Sequence, residues 1–356
     1  MIRLKDIAQH VGLSIMTVSK ALRDVPDVAP GTKTRIKLVA QQMGYVANAT
    51  AQGLRNRHSR LLGLVIPNIA NPIFARMGMA IEDRAHDAGY GIILAQSQNV
   101  LEREDACLRH LLARRVDGLL VMPVHRPGPE ARAYQELLAG GTPTVILGPV
   151  APFCSQFVNV QGEESEGSFR LTQHLIGLGH RRIAFLCGPS RAPWGQARLD
   201  GYSRALRQAH LEVDDNLIFP AGATIEEGAA AALQLLSEVT GATAIQAVND
   251  MVAIGCGEAL LSEGLRIPQD VSLAGYGNIL AAEHFRVPLT TVRQPKHRLG
   301  EAALSVMLQL LAGGKPQPQR LPATLAIRAS TAVPLTPAVP QEPALMTNDE
   351  RSPKSE

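Results

Sequence analysis

The sequence predicts a short N-terminal all-α unit followed by a larger α/β body of two doubly wound parallel lobes. Three observations carry this. Two brief helical patterns flank Gly12 within Leu4–Ala21. Beyond residue 60, apolar strand-like runs alternate with amphipathic stretches, the order that parallel sheets require. Charge is also divided: residues 1–60 hold ten Lys or Arg against three Asp, +7, whereas the remainder holds 25 basic against 29 acidic residues, −4. A basic end on a slightly acidic body indicates a polyanion partner for that end alone, or else a solvated basic face.

In the first helical pattern Ile7, Ala8 and Val11 share a face, and in the second Val18 and Leu22 do. Gly12 suits the turn between them because it tolerates φ > 0. Ser14 is placed to cap the second helix. That helix shows Ile15, Met16, Thr17, Ser19 and Lys20 outward. The pair reads as a helix-turn-helix with its reader second. A third helix near Pro30–Met43 has Ile36, Val39, Ala40 and Met43 as its buried stripe. Pro30 fits its first turn, but Ala29 provides no side-chain cap, so a frayed start is expected. Gly44 ends the helix and Tyr45 packs back on the bundle. These elements define a unit of residues 1–46.

Asn48–Leu54 (NATAQGL) is a seven-residue segment with a possible Asn48 cap. It is too short for a helix stable alone in water, and Gly53 weakens it further. The sequence of 48–54 thus agrees with a segment that folds on binding, and residues 47–59 are expected to be a hinge and linker leading into the body.

In the body, strands are expected at Leu61–Ile66, Gly91–Ala95, Gly118–Met122 and Thr144–Leu147. A second series is Arg182–Leu186, Leu217–Phe219, Ala244–Val248 and Val271–Ala274. Helical segments such as Phe74–Ala88, Asp105–Leu112, Gly167–Leu178 and Ala197–Ala209 separate them. After about Val333 the chain is Pro-rich, polar and aperiodic, so 333–356 is expected to be a disordered tail. It lacks leucine heptads for a tetramerising coiled coil, leaving a homodimer as the expected assembly. The four cysteines follow no metal-ligand or CxxC spacing. They are expected to be reduced thiols in a cytoplasmic protein. No apolar run of about 18 residues or more suggests a membrane span. Because the helical pattern begins at Leu4, no signal peptide is expected.

The segments LKDIAQHVGLSIMTVSKAL, TKTRIKLVAQQMGYVANATAQGL, GLVIPNIANPIF, HLIGLGHRRIAFL, AVNDMVAIG and IPQDVSLAGYGN occur in this order. Together they make the chain resemble the lactose-repressor (LacI) family of bacterial transcription regulators, from about Ile2 to about Ala332. The resemblance implies a periplasmic-binding-protein-like body over 60–332, with crossovers near 161, 290 and 320. Lobe one would then be about 60–161 and 291–320, and lobe two about 162–290 and 321–332. It also implies a near-palindromic double-stranded DNA operator and a hinge helix at 48–54 that forms on DNA.

By resemblance, Ile15 and Met16 hold the reader positions; they can touch thymine methyls, or else pack on the headpiece core. Lys20 can donate to guanine or to phosphate. Ser14, Thr17, Ser19 and Asn48 suit phosphate contacts. Leu54 matches a leucine wedged into the minor groove, or else lies in a dimer interface.

A small effector would occupy the cleft between the lobes, where loops at strand ends converge. Asn71, Phe74, Trp194, Arg198, Asn249 and Asn278 are its candidate contacts. Trp194 could stack on a sugar ring or sit at a subunit rim. Phe74 could be core. Arg198 could grip hydroxyls or a carboxylate, or serve only in a salt bridge. Asp250 is expected to cap the helix after Asn249. One departure matters: Gly277 and Asn278 stand where the family often has two aspartates. Loss of that carboxylate puts the usual neutral-sugar binding in doubt and would tolerate a sugar acid.

The expected function is therefore an effector-controlled repressor of a carbohydrate or sugar-acid operon. The alternative is a solute-binding receptor without gene control. No GxGxxG, Walker A or GxSxG stretch is present, and the histidines show no ligand spacing. An enzyme, a cofactor, a metal and a catalytic residue are not expected.

Overall fold

A computed structural model describes residues 2–46, 58–126, 128–189, 192–238 and 240–335. The hinge candidates Asn48 and Leu54, and tail residues 336–356, lie outside the described residues. The chain divides into two compact units, Met1–Arg60 and Leu61–Glu356.

The first unit is three helices: α1 (Leu4–Val11), α2 (Ile15–Leu22) and α3 (Pro30–Gln42). Ile7, Ala8, Val11, Val18, Ala21, Val28, Ile36 and Ala40 form its core. Gly12 sits at φ +68° and closes α1. Tyr45 donates its backbone N–H to the Ala40 carbonyl and packs against the core. α3 starts at Pro30 without a side-chain cap at Ala29. Pro has no N–H to satisfy, so one orphan donor is removed by composition.

The second unit holds two six-stranded sheets. The first contains β1 (Leu61–Ile66), β2 (Gly91–Gln96), β3 (Gly118–Val121), β4 (Thr144–Leu147) and β5 (Val158–Gly162). The second contains β6 (Ile183–Cys187), β7 (Ile218–Pro220), β8 (Ala244–Ala247), β9 (Ser272–Gly277) and β10 (Thr290–Arg293). Then β11 (Gln319–Leu321) returns to the first sheet beside β5, and β12 (Thr324–Ala326) to the second beside β10. Pairing is parallel among the described strands except for β12 on β10, where Thr291 faces Ala326. The order β11-β5-β4-β3-β1-β2 places β1 inside the sheet, between β3 and β2.

The helices between strands are α4 (Pro72–Asp87), α5 (Leu101–Ala113), α6 (Arg132–Ala139), α7 (Glu164–Gly177), α8 (Pro193–Gln208), α9 (Ile225–Ser237) and α10 (Asp250–Ser262). Then come the short α11 (Leu280–Glu283) and α12 (Lys296–Leu311). Strand alternation decides which helix each side chain meets. On β1, Leu62, Leu64 and Ile66 face Met77 and Ile81 of α4 and Ala303 and Met307 of α12. Val65 joins Leu108 and Leu111 of α5 and Tyr134 of α6 on the other face. β1 is thus apolar on both sides, as a doubly covered parallel strand must be.

The second crossing falls at Gln294–Pro295 rather than near 290. Thr290, Thr291 and Val292 pair with β9 in the second sheet and are buried, as β-branched residues in an interior strand are expected to be. Residues up to Ala332 are held on the body. The Ala332 carbonyl accepts from His180 Nε2 at 2.9 Å, and its N–H donates to Ser272 Oγ at 3.0 Å. No helix among the described residues is long and apolar enough to cross a membrane.

Candidate functional site

In the headpiece, Ser14 Oγ accepts the Thr17 backbone N–H at 3.1 Å and lies 2.9 Å from the Thr17 hydroxyl. This cap fixes the start of α2. Ile15 and Met16, the next two residues, are 52% and 60% exposed. They are outside the core, which leaves their side chains free for an external surface. Lys20 is ion-paired with Asp27, whose carboxyl that contact holds below its usual range. The Ser19 carbonyl accepts from Arg23 Nε at 3.0 Å.

The body contains a cleft between its two sheets, enclosing about 150 Å³. Five sequence-predicted residues line it: Asn71, Phe74, Trp194, Arg198 and Asn249. Asn71 caps α4, accepting the Ile73 N–H at 3.0 Å. Phe74, in the first turn of α4, both lines the cleft and packs on the first-lobe core. Trp194 likewise lines the cleft while resting on the second-lobe core.

Arg198 is brought to the cleft by close helix packing. Gly201 of α8 faces the start of α7 so tightly that an added Cβ would lie 2.1 Å from the Ser165 carbonyl oxygen. One turn earlier on α8, the Arg198 guanidinium therefore meets Glu164. Its Nε and Nη2 donate to Glu164 Oε2 at 2.8 and 2.6 Å, and Nη1 donates to the Val248 carbonyl at 2.6 Å. The ring of Tyr276 lies 3.7 Å and that of Trp194 4.9 Å from the guanidinium carbon. Glu164 Oε1 accepts from Gln294 Nε2 at 2.8 Å. Glu164 and Gln294 stand at the first and second crossings between lobes. The Glu163 N–H donates to the Leu321 carbonyl beside the third.

Two expectations change. Asn249, not Asp250, caps α10: its Oδ1 accepts the Val252 N–H at 2.8 Å and its Nδ2 donates to the Ala223 carbonyl at 3.1 Å. Its extended backbone is that of an N-cap. Asp250 is the first helical residue and is buried, accepting from the Thr291 hydroxyl at 2.5 Å and the Ile279 N–H at 2.8 Å. Burial pushes its carboxyl above the usual range, against those two bonds. Asn278 is not among the lining residues. Its Oδ1 accepts from Arg328 Nη2 at 2.7 Å, and its left-handed backbone, φ +53°, leaves its carbonyl on Lys296. Gly277 has φ +131°, and a Cβ there would press on Ile73 at 3.1 Å. A side chain at 277 is therefore disfavoured by local backbone as well as absent by identity.

Sequence reasoning missed Glu164, Gln294, Tyr276 and the loop after β3. Against that loop, buried Glu104 of α5 accepts from the Val124 N–H at 2.7 Å and the Tyr134 hydroxyl at 2.9 Å, and pairs with Arg126. This holds His125 in the cleft wall, where its buried Nδ1 has no partner among the described residues. Glu104 and Arg126 lie 22 residues apart on different elements, so no local pattern announces them.

A helix-turn-helix unit joined to a two-lobed body with a ligand-sized cleft defines the class of DNA-binding regulators that sense small molecules. Comparison with known proteins agrees. Residues 3–48 match bacterial regulatory proteins of the lacI family, and residues 172–331 match the periplasmic binding protein-like domain. The HTH-type transcriptional repressor PurR of Photobacterium profundum is 32% identical over 313 residues, 87% of this chain and 92% of that protein. Among solved structures, the lac repressor dimer bound to operator and the anti-inducer ONPF has a TM-score of 0.83 at 26% identity, covering 93% of this chain and 99% of that one. The transcriptional regulator CelR–cellobiose complex has a TM-score of 0.70 at 29% identity, covering 93% of this chain and 100% of that one. The chain belongs to the lacI family of bacterial regulatory proteins.

Proposed function

We propose that this protein is a cytoplasmic repressor that binds a near-palindromic operator as a homodimer and releases or gains that operator when a small effector fills the cleft. The observation carrying this is the cleft itself: an apolar cavity with Trp194, Arg198 and His125 in its wall and residues of the first two crossings of the chain, Glu164 and Gln294, beside them. A ligand touching both lobes changes their relative angle, and that angle is read at the hinge segment of 47–59. Operator and effector are then reciprocally coupled. Ile15 and Met16, exposed behind the Ser14 cap, make apolar base contacts, with Ser14, Thr17 and Ser19 on phosphates and Lys20 on base or phosphate.

A sugar is the effector class we favour. Trp194 offers an aromatic face, and the similar CelR was solved with cellobiose. The test is selection of operator duplexes from a randomised pool, followed by titration of sugars, sugar acids and nucleobases while following Trp194 fluorescence. An enriched inverted repeat whose affinity shifts with a compound that also perturbs Trp194 is expected. A pool with no enriched sequence would sink the repressor reading.

A further inference from the structure

We infer that Glu164 sets the charge specificity of the cleft, so that it takes a neutral ligand and turns away carboxylates. The inference rests on the cleft being the effector site. Among the described lining residues, Glu164 and Arg198 are the only Asp, Glu, Lys or Arg. They are bound to each other, and their side chains are 13% and 7% exposed. Two donors of the Arg198 fork are on Glu164 Oε2, and a third is on the Val248 carbonyl. Both Tyr276 and Trp194 lie against the guanidinium. A carboxylate ligand would have either to replace Glu164 at these donors, leaving that carboxylate unpaired in a desolvated wall, or to share the remaining N–H groups beside it against like-charge repulsion, and both are unfavourable. A neutral ligand leaves the pair intact and uses the other polar groups of the wall, such as His125 Nδ1. Glu164 is also fixed from its other oxygen by Gln294, so it is not free to swing aside. Two further charges nearby are each engaged in hydrogen bonds outside the cleft lining. Lys296 is spent on the Gly277 and Asn278 carbonyls, and Asp250 on Thr291 and Ile279.

The single tryptophan lies beside the guanidinium and reports this directly. In the full-length protein, quenching of Trp194 by iodide is compared with quenching by neutral acrylamide. In the natural chain the iodide-to-acrylamide ratio should be low, because Arg198 is compensated. Glu164→Gln leaves the arginine charge uncovered, and the ratio should rise on the order of threefold or more at low salt. Glu164→Asp keeps the charge and should keep the low ratio. An unchanged ratio in E164Q overturns the proposal, as does an equal rise in both variants, which would indicate repacking instead of charge. A carboxylate that binds the natural cleft more tightly than its own amide overturns it too. None of these readings depends on DNA, so failure here is distinct from failure of the repressor reading.

Discussion

Lys20 and His180 show how single side chains divide between reading and holding. Lys20 is paired with Asp27 in the headpiece, and DNA must compete for it. Lys20→Ala is expected to weaken operator binding and to lower the slope of log affinity against log salt by about 1 if the contact is to phosphate. Fluorescence anisotropy across a salt series checks this; an unchanged slope and affinity would leave Lys20 on Asp27 in the complex. His180 is 1% exposed, with Nε2 at 2.9 Å from the Ala332 carbonyl and Nδ1 at 2.8 Å from the Thr243 hydroxyl. A carbonyl only accepts, so Nε2 carries the proton and Nδ1 accepts. Burial holds its pKa below the ordinary 6.5. The folded ring stays neutral where the unfolded chain takes up a proton. Its stability contribution is therefore full above about pH 6.5 and falls as pH drops toward the depressed folded value. The steepest loss is about 1.4 kcal/mol per pH unit for one such histidine. Urea unfolding between about pH 7 and 5 should show a shallower pH dependence in His180→Gln than in the natural chain. His174 shifts in the same direction, also by burial, so the variant should retain part of the slope.

At the scale of elements, glycine contacts position the site. Gly201 lets α8 approach the start of α7, and that approach joins Arg198 to Glu164. Gly201→Ala should destabilise the body by about 2–3 kcal/mol, as overpacking does. It should also move the Trp194 emission maximum, because the α7–α8 spacing carries Arg198 with it. Unaltered stability would mean that the two helices separate without penalty. Most elements were legible in the sequence. The runs at 61–66 and 144–147 are strands at those bounds, since continuous β-rich apolar runs flanked by turns have few alternatives. Several pieces were not, β10 and β12 among them. β5 contains Asn159 and Gln161, and β11 contains Gln319 and Arg320. These polar strands lie at one edge of the first sheet, where apolar pattern fades. The α6 segment was hidden by its brevity. The α9 segment, IEEGAAAALQLLS, was passed over although Thr224 and Glu227 form a capping box at its start.

For the whole molecule, two compact units predict two separable responses. A cleft ligand at about 100 times its Kd should stabilise the body by about 2.7 kcal/mol. In calorimetry, the transition of the large unit should rise while that of the three-helix headpiece stays in place. Movement of both together would show that the units unfold as one. The cleft was legible only in part. Phe74, Trp194 and Arg198 follow strand ends, where ligand-binding loops of α/β sheets gather. Glu164 and Gln294 also follow strand ends but are 130 residues apart. Their meeting depends on the chain crossing between lobes three times.

The sequence by itself determined the classes of structure: three short helices around Gly12, alternating strands and helices beyond residue 60, and a basic end. These follow from local pattern, because periodicity, capping and turn chemistry act over a few residues. Tertiary structure alone decided which polar groups meet. It paired Arg198 with Glu164, buried Asp250 against Thr291 and took Asn278 to Arg328. Such pairings are set by helix approach and by sheet order, which bring together residues 34 to 50 positions apart. Whether an arginine is free or compensated is a property of that assembly.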